Sequence, residues 1–103
     1  MQVIKAPISP DEPQENRATI IDNLHNALLL LLRANVILLV GIPESRKPPV
    51  RAALDAALLV EQRDRVYGIA SQQAIKFFQA QFPNFIVISG NVDALTAEAI
   101  NSA

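Results

Sequence analysis

The feature that most constrains this chain is a run of five aliphatic residues, 36–40, between Asn35 and Gly41. A run without polar alternation is typical of a strand that is buried on both faces. Such strands belong to parallel sheets that helices cover on both sides. Ligands bind beyond the carboxyl ends of these strands, so the pattern indicates a site in the turn from Gly41 to Arg46.

The rest of the chain alternates between strand and helix patterns. Further strands are predicted at residues 2–8, 66–70 and 85–88. Apolar residues spaced as on a helix predict helices over residues 17–33, 50–62, 72–82 and 92–101, with Ser71 as the N-cap of the third. This β-α-β-α-β-α-β-α order predicts one α/β domain over residues 1–103, with a mostly parallel four-stranded sheet and helices on both faces.

Composition limits the partners that such a domain would have. Nine basic and ten acidic residues give a net charge of −1, which provides no electrostatic basis for binding nucleic acid or an anionic membrane. The chain has no Cys, which excludes disulfides and thiolate metal sites. Its first residues lack the charged-then-apolar order of a secretion signal, so we expect a cytoplasmic protein.

Residues 27–43 are almost wholly apolar and raise the question of a membrane span. Arg33 and Asn35 lie in the middle of this stretch, which is also shorter than the roughly 20 residues that a span needs. We therefore interpret it as the end of a helix followed by a buried strand.

The stretch from residue 37 to residue 89 resembles the first half of a response-regulator receiver domain. The similarity lies in the apolar strand at residues 37–40, the strand and helix at 66–78, and a Pro before the strand at 85–88. Residues 5–12, Lys-Ala-Pro-Ile-Ser-Pro-Asp-Glu, resemble the Lys-Pro turn that closes a receiver. The resemblance implies a flavodoxin-like fold with its last βα unit at the N-terminus and the usual fourth unit missing.

The chain departs from that family at the positions that carry its chemistry. Receivers hold Mg²⁺ with an acidic pair and an Asp that accepts the phosphoryl group. Gly41 and Ile42 match the acidic pair, and Ser89 matches the acceptor. Mg²⁺ needs carboxylate ligands, and a Ser would need an activating base. The departures imply a pseudo-receiver without catalytic residues, metal or cofactor.

A weaker candidate is a ligand site at the predicted strand ends. The turn after residue 40 follows a strand, precedes a helix and carries cations, but its three Pro residues remove backbone donors that an anion site uses. The turn at residues 89–91 would lie nearby. The candidate ligand-binding residues are Lys5, Gly41, Ser45, Arg46, Ser89 and Gly90.

Leu29 and Leu30 lie outside the apolar stripe of the first helix. Either the helix is wedged between other elements, or these two leucines contact a partner chain. His25, between polar neighbours, is predicted to be a solvated helix residue.

These patterns favour a non-catalytic, receiver-like signalling module that acts through protein–protein interaction or self-association. One alternative is a structural subunit of a larger assembly, such as a shell or virion component. Another is a small phosphate- or anion-binding enzyme that uses Lys5, Arg46 and Ser89.

Overall fold

In a computed structural model that describes residues 3–103, the chain folds into four α-helices and one turn of 3₁₀ helix. The helices are α1 (Arg17–Arg33), α2 (Lys47–Asp64), α3 (Ile69–Gln79) and α4 (Ala94–Ser102), and the 3₁₀ turn is Glu44–Arg46. Residues 3–103 contain no strand, only an isolated antiparallel bridge between Ile8 and Val92. The predicted α/β domain with a four-stranded sheet is therefore wrong, and the helical fold offers no support for the resemblance to receivers.

Helix α1 spans the predicted residues and ends where the predicted central strand was to begin. Asn35 adopts a left-handed conformation with φ of 60°. The N–H of Val36 donates to the Leu31 carbonyl and the N–H of Asn35 to the Leu32 carbonyl, at 2.9 and 3.3 Å. This pattern is a Schellman C-cap, in which Asn tolerates the left-handed position. The polar residue that opens the apolar run thus terminates a helix.

The helices α1, α2 and α3 pack against one another and form the core. Along α1 the buried side chains include Leu24, Leu28 and Leu32, spaced by four residues on one helical face. Leu58 of α2 and Phe78 of α3 are also buried in this core. Leu29 and Leu31 are buried as well, so α1 is covered on more than one side.

Side chains satisfy the backbone of residues 36–38, where a sheet would have used a neighbouring strand. The Gln81 amide donates to the Val36 carbonyl at 3.1 Å and accepts from the Leu38 N–H at 2.8 Å. Nη1 of Arg51 donates to the Ile37 carbonyl at 3.0 Å. Backbone N–H and C=O groups without a partner in a helix or sheet bond to side chains or water, and here one side chain of α2 and one just after α3 supply the partners.

The other three predicted strands are also absent, and helix, turn or irregular structure is found in their place. Helix α3 begins at Ile69, within the predicted strand 66–70. After α3, the N–H groups of Phe85 and Ile86 both donate to the Phe82 carbonyl, so that residues 85–88 start as a turn. Of the first predicted strand, Gln2 lies outside the described residues, and Ile8 forms the single bridge to Val92.

The N-terminal segment packs on α4. The Asn101 side chain accepts from the Ile4 N–H at 2.8 Å and donates to the Ile4 carbonyl at 2.9 Å. With the bridge between Ile8 and Val92, these bonds fix the segment across one end of the molecule. Within residues 3–103, none of the helices has the length and apolar character needed to cross a membrane.

Candidate functional site

An apolar groove of about 700 Å³ lies between α2 and α3. Its only charged lining residue is Lys76, and its only other polar side chain is Gln73. The lining consists of Val50, Ala53, Leu54 and Ala57 from α2, Gln73, Lys76, Phe77 and Ala80 from α3, and Val40, Ile42 and Ile88 from the two loops. We call this feature the α2–α3 groove.

Small residues give the groove its width. Ala53 and Ala57 lie one turn apart on α2, and Ala80 is the C-cap residue of α3, one turn after Lys76. All three have short side chains, so space remains between two helices whose larger residues pack below. Leu54 is buried beneath the α2 wall. The four alanines of residues 52–57 are visible in the sequence, but the sequence does not show which element lies against them.

A strained turn forms one end of the groove. Leu39 has φ of 50° and Gly41 has φ of 90°, and the Ile42 N–H donates to the Leu39 carbonyl at 3.1 Å. A left-handed conformation is unfavourable for Leu, but the Leu39 side chain is fully buried and anchors the turn. The turn places Val40 and Ile42 on the groove.

An exposed apolar surface borders the groove. Phe85 is 77% exposed and Val87 is 75% exposed. Ile88 lines both the groove and a shallower depression formed by residues 83–88. Contiguous exposed apolar surface marks binding sites in soluble proteins. We call the exposed large side chains that line the groove or the adjoining depression the apolar rim: Val40, Phe85, Val87 and Ile88.

A buried amide fixes the loop that follows the rim. The Gln79 carbonyl oxygen accepts from the N–H groups of Ser89 and Gly90, both at 3.0 Å. Its amide nitrogen donates to the Asn91 carbonyl at 2.8 Å and to the Thr96 hydroxyl at 3.0 Å. Gln79 is fully buried, so this one side chain ties α3 to the loop and to α4.

Tyr67 adds a second bond to the same loop. Its hydroxyl donates to the Gly90 carbonyl at 2.5 Å. Burial raises the pKa of Tyr67, with a smaller contribution from the charge of Glu61. The hydroxyl therefore stays protonated and remains a donor. Gly90 has φ of 80°, a conformation that glycine adopts without a steric penalty.

The predicted ligand-binding residues do not form one anion site. Lys5 lines a separate cleft with Glu15 and Asn16. Ser45 and Arg46 are exposed in the 3₁₀ turn. Gly41 and Ser89 are also exposed, whereas Gly90 is buried.

The structure nevertheless brings the two predicted turns to one place. Val40 and Ile42, on either side of Gly41, line the same groove as Ile88, which precedes Ser89. The two turns thus meet through apolar neighbours, and the surface they build is apolar.

The two leucines of α1 have different environments. Leu29 is buried in the core and is unavailable as a contact surface in this fold. Leu30 is 55% exposed. Neither residue lines the α2–α3 groove.

A second polar cluster lies at the start of α3. Oε1 of Glu61 accepts from the N–H of Gly68, the N–H of Ser71 and the Ser71 hydroxyl, and Oε2 accepts from the N–H of Ala70. The carboxylate therefore satisfies backbone donors that a helix leaves free at its first turn. Ser71 was predicted to be the N-cap of this helix, but it lies within the first turn, and Gly68 is the N-cap.

His25 completes this cluster and is fully buried, so its prediction as a solvated residue was wrong. Its Nε2 lies 2.8 Å from the Ser71 hydroxyl oxygen. Burial lowers the pKa of His25 and outweighs the nearby charges of Glu61 and Asp22, which raise it. Burial also acts to raise the pKa of Glu61, but the bonds from the Ser71 hydroxyl and three backbone N–H groups together lower it.

The three residues do not form a catalytic triad. The Ser71 hydroxyl donates to Glu61 at 2.6 Å, and its oxygen lies 2.8 Å from Nε2 of His25. A nucleophilic Ser must give its proton to the His, which an acid orients from the other ring nitrogen. Here the Ser lies between the His and the acid, and it is buried. The cluster joins α1, α2 and the start of α3.

Residues 3–103 contain no group of three or more His, Cys, Asp or Glu side chains that could hold a metal ion. The site is therefore defined by its shape and apolar character. Comparison of the chain with protein-family models, curated proteins and solved structures found no match.

Proposed function

We propose that this chain is a non-catalytic interaction module whose α2–α3 groove binds an apolar segment of a protein. The observation that carries the proposal is the continuity of the groove with the apolar rim. The groove has a volume typical of ligand pockets, about 300–1,000 Å³. A small molecule that filled it would leave Phe85 and Val87 in water, whereas a protein segment could cover both surfaces.

The walls suit a segment that inserts side chains between two helices. Ala53 and Ala57 leave room on α2, and Phe77 offers an aromatic side on α3. Apolar anchors that enter a groove are a recurrent mode of peptide recognition. With one Lys and one Gln in the lining, binding would depend mainly on apolar burial, worth about 25 cal/mol per Å².

For the alternative, an anion-binding enzyme that uses Lys5, Arg46 and Ser89, the structure does not bring the three side chains together. Lys5 lines the cleft beside the N-terminal segment, while Arg46 and Ser89 are exposed on other loops and line neither that cleft nor the groove.

The proposal can be tested with the apolar dye ANS and two matched variants. Ala53 and Ala52 are adjacent exposed residues of α2, but only Ala53 lines the groove. We expect ANS to shift the amide NMR signals of groove residues, and Ala53→Glu to weaken binding at least tenfold. Ala52→Glu should leave it unchanged. Shifts centred elsewhere, or equal losses in the two variants, would refute a binding site in the groove.

A further inference from the structure

We infer that the α2–α3 groove receives residues 85–88 of a second copy of this chain, in a two-fold symmetric dimer. This inference rests on the proposed function and specifies its partner. The same face of the molecule carries both an apolar concave surface and an apolar segment that projects into solvent. A two-fold interface needs such a self-complementary surface, because each copy then gives what the other receives.

The projecting segment is the most exposed apolar feature of the described residues. Phe85 and Val87, at 77% and 75%, exceed every other large apolar side chain of residues 3–103 in exposure. Burying a large apolar side chain contributes about 1.5–3 kcal/mol. Buried aromatic anchors are also among the residues that contribute most to binding in interfaces. With two such side chains close together, this segment gains more from a partner's groove than a single exposed side chain would.

Its own groove cannot take up the same side chains. Residues 85 and 86 are held at one end by the Phe82 carbonyl, and residues 89 and 90 at the other end by Gln79. Between these anchors only Ile88 reaches the groove of the same molecule. Phe85 and Val87 remain outside, and a second copy can supply a groove for them without changing either anchor.

The charges on this face permit two copies to approach. The groove lining has one ionisable residue, Lys76, and residues 85–88 have none. The net charge of the whole chain is −1, so long-range repulsion between two copies is small. The Lys76 stem packs beside Gly90, and its side chain is exposed at the edge, where a long cation stays solvated.

Sedimentation equilibrium of the full chain tests the dimer directly. We expect a monomer–dimer equilibrium with a dissociation constant below about 1 mM. Phe85→Ser should raise that constant at least tenfold. Ile69→Ser removes an apolar side chain that is nearly as exposed, at 74%, but lies outside the groove and the apolar rim, and it should leave the constant unchanged.

Mixing two defective variants tests which surfaces meet. Phe85→Lys damages the projecting segment, and Ala53→Glu obstructs the groove with an acid. Each variant alone should associate at least tenfold more weakly than the unmodified chain. In a mixture, the lysine of one copy meets the glutamate of the other, and the second interface is unmodified, so a heterodimer should form.

Three results would overturn the inference: an unmodified chain that stays monomeric at about 1 mM, a dimer indifferent to Phe85→Lys, or a mixture that forms no heterodimer. If association is absent but ANS still binds in the groove and Ala53→Glu abolishes it, the proposed function stands and only the identity of the partner fails. If ANS also fails to bind there, both proposals fail.

Discussion

The two ends of α3 are held by polar clusters of different kinds. At its first turn the carboxylate of Glu61 accepts four hydrogen bonds, three of them from backbone N–H groups. At its C-terminal end the amides of Gln79 and Gln81 each both donate and accept. One end is therefore capped by a charge, and the other is connected to loops by neutral groups.

The difference follows from what each backbone segment lacks. A helix start leaves only N–H donors free, and a carboxylate accepts without donating. An irregular segment leaves both N–H and C=O groups free, and an amide side chain matches both. The glutamines thus replace the neighbouring strand for the segments that carry the apolar rim. The charged end should respond to pH, and the amide end should control the shape of the groove.

The largest effect is expected at the amide end. Gln79→Met keeps the length of the side chain but leaves the N–H groups of Ser89 and Gly90 without their acceptor. Because Gly90 is buried, we expect a loss of about 3 kcal/mol in the free energy of unfolding. Urea denaturation at pH 7 measures it.

Gln73→Met is the matched control, since Gln73 lies on the same helix and is exposed. Its stability should change by less than about 0.5 kcal/mol. Equal losses in the two variants would mean that the Gln79 bonds are not what holds the loop.

The charged end should give a smaller loss. Glu61→Gln retains one oxygen acceptor but places an NH₂ group against an N–H donor, in the position that now accepts from Ala70. We expect a loss of about 2 kcal/mol at pH 7, the range for hydrogen bonds to a charged group. Glu98→Gln, at an exposed position of α4, should show almost none. A Glu61→Gln variant as stable as the parent would remove the helix-capping role from Glu61.

The two ends should also separate in their dependence on pH. The pKa of buried His25 lies below its ordinary value of 6.5, so the unfolded chain takes up this proton first as the pH falls. The lowered pKa of Glu61 acts in the same direction below its ordinary 4.5. Stability should therefore be full above pH 6.5 and decline with acidification, by at most about 1.4 kcal/mol per pH unit for each proton.

His25→Gln should flatten the decline that begins near pH 6.5, while Gln79→Met should run parallel to the parent at lower stability. Urea denaturation at a series of pH values distinguishes these profiles. An unchanged slope in His25→Gln would show that another group takes up the proton.

The helices were predictable because their signals are local. The i, i+4 spacing of apolar residues predicted α1 over residues 17–33, and the other three helices were placed within about three residues of their observed ends. The strands were not predictable because a buried apolar run fits any covered backbone. Whether residues 36–40 pair with a strand depends on partners far along the chain, here Arg51 and Gln81.

The candidate site was also predictable only in the part that depends on local sequence. The turns at Gly41 and at Ser89 were predicted to lie near each other as the ends of two strands in one sheet. Residues 3–103 contain no such sheet, and what meets in the groove is Val40, Ile42 and Ile88 beside these turns. The apolar character of the surface beside these turns was not predictable, because it depends on which residues next to each turn point into the core and which point into solvent. Leu39 is buried and Val40 is exposed, and only the fold reveals that alternation.

The smallest effect is expected for Gln81, whose bonds to residues 36 and 38 lie nearer the surface. Gln81→Met should cost about 1 kcal/mol, because water can replace part of what is lost. It should nevertheless speed hydrogen exchange at the Leu38 amide, which loses its acceptor, and weaken ANS binding in the groove that Val40 lines. Exchange at the Gly90 amide, held by Gln79, is the internal control and should not change. If both amides exchanged faster, the two glutamines would belong to one cooperative unit; if neither did, residues 36–40 would be held by Arg51 and by burial alone.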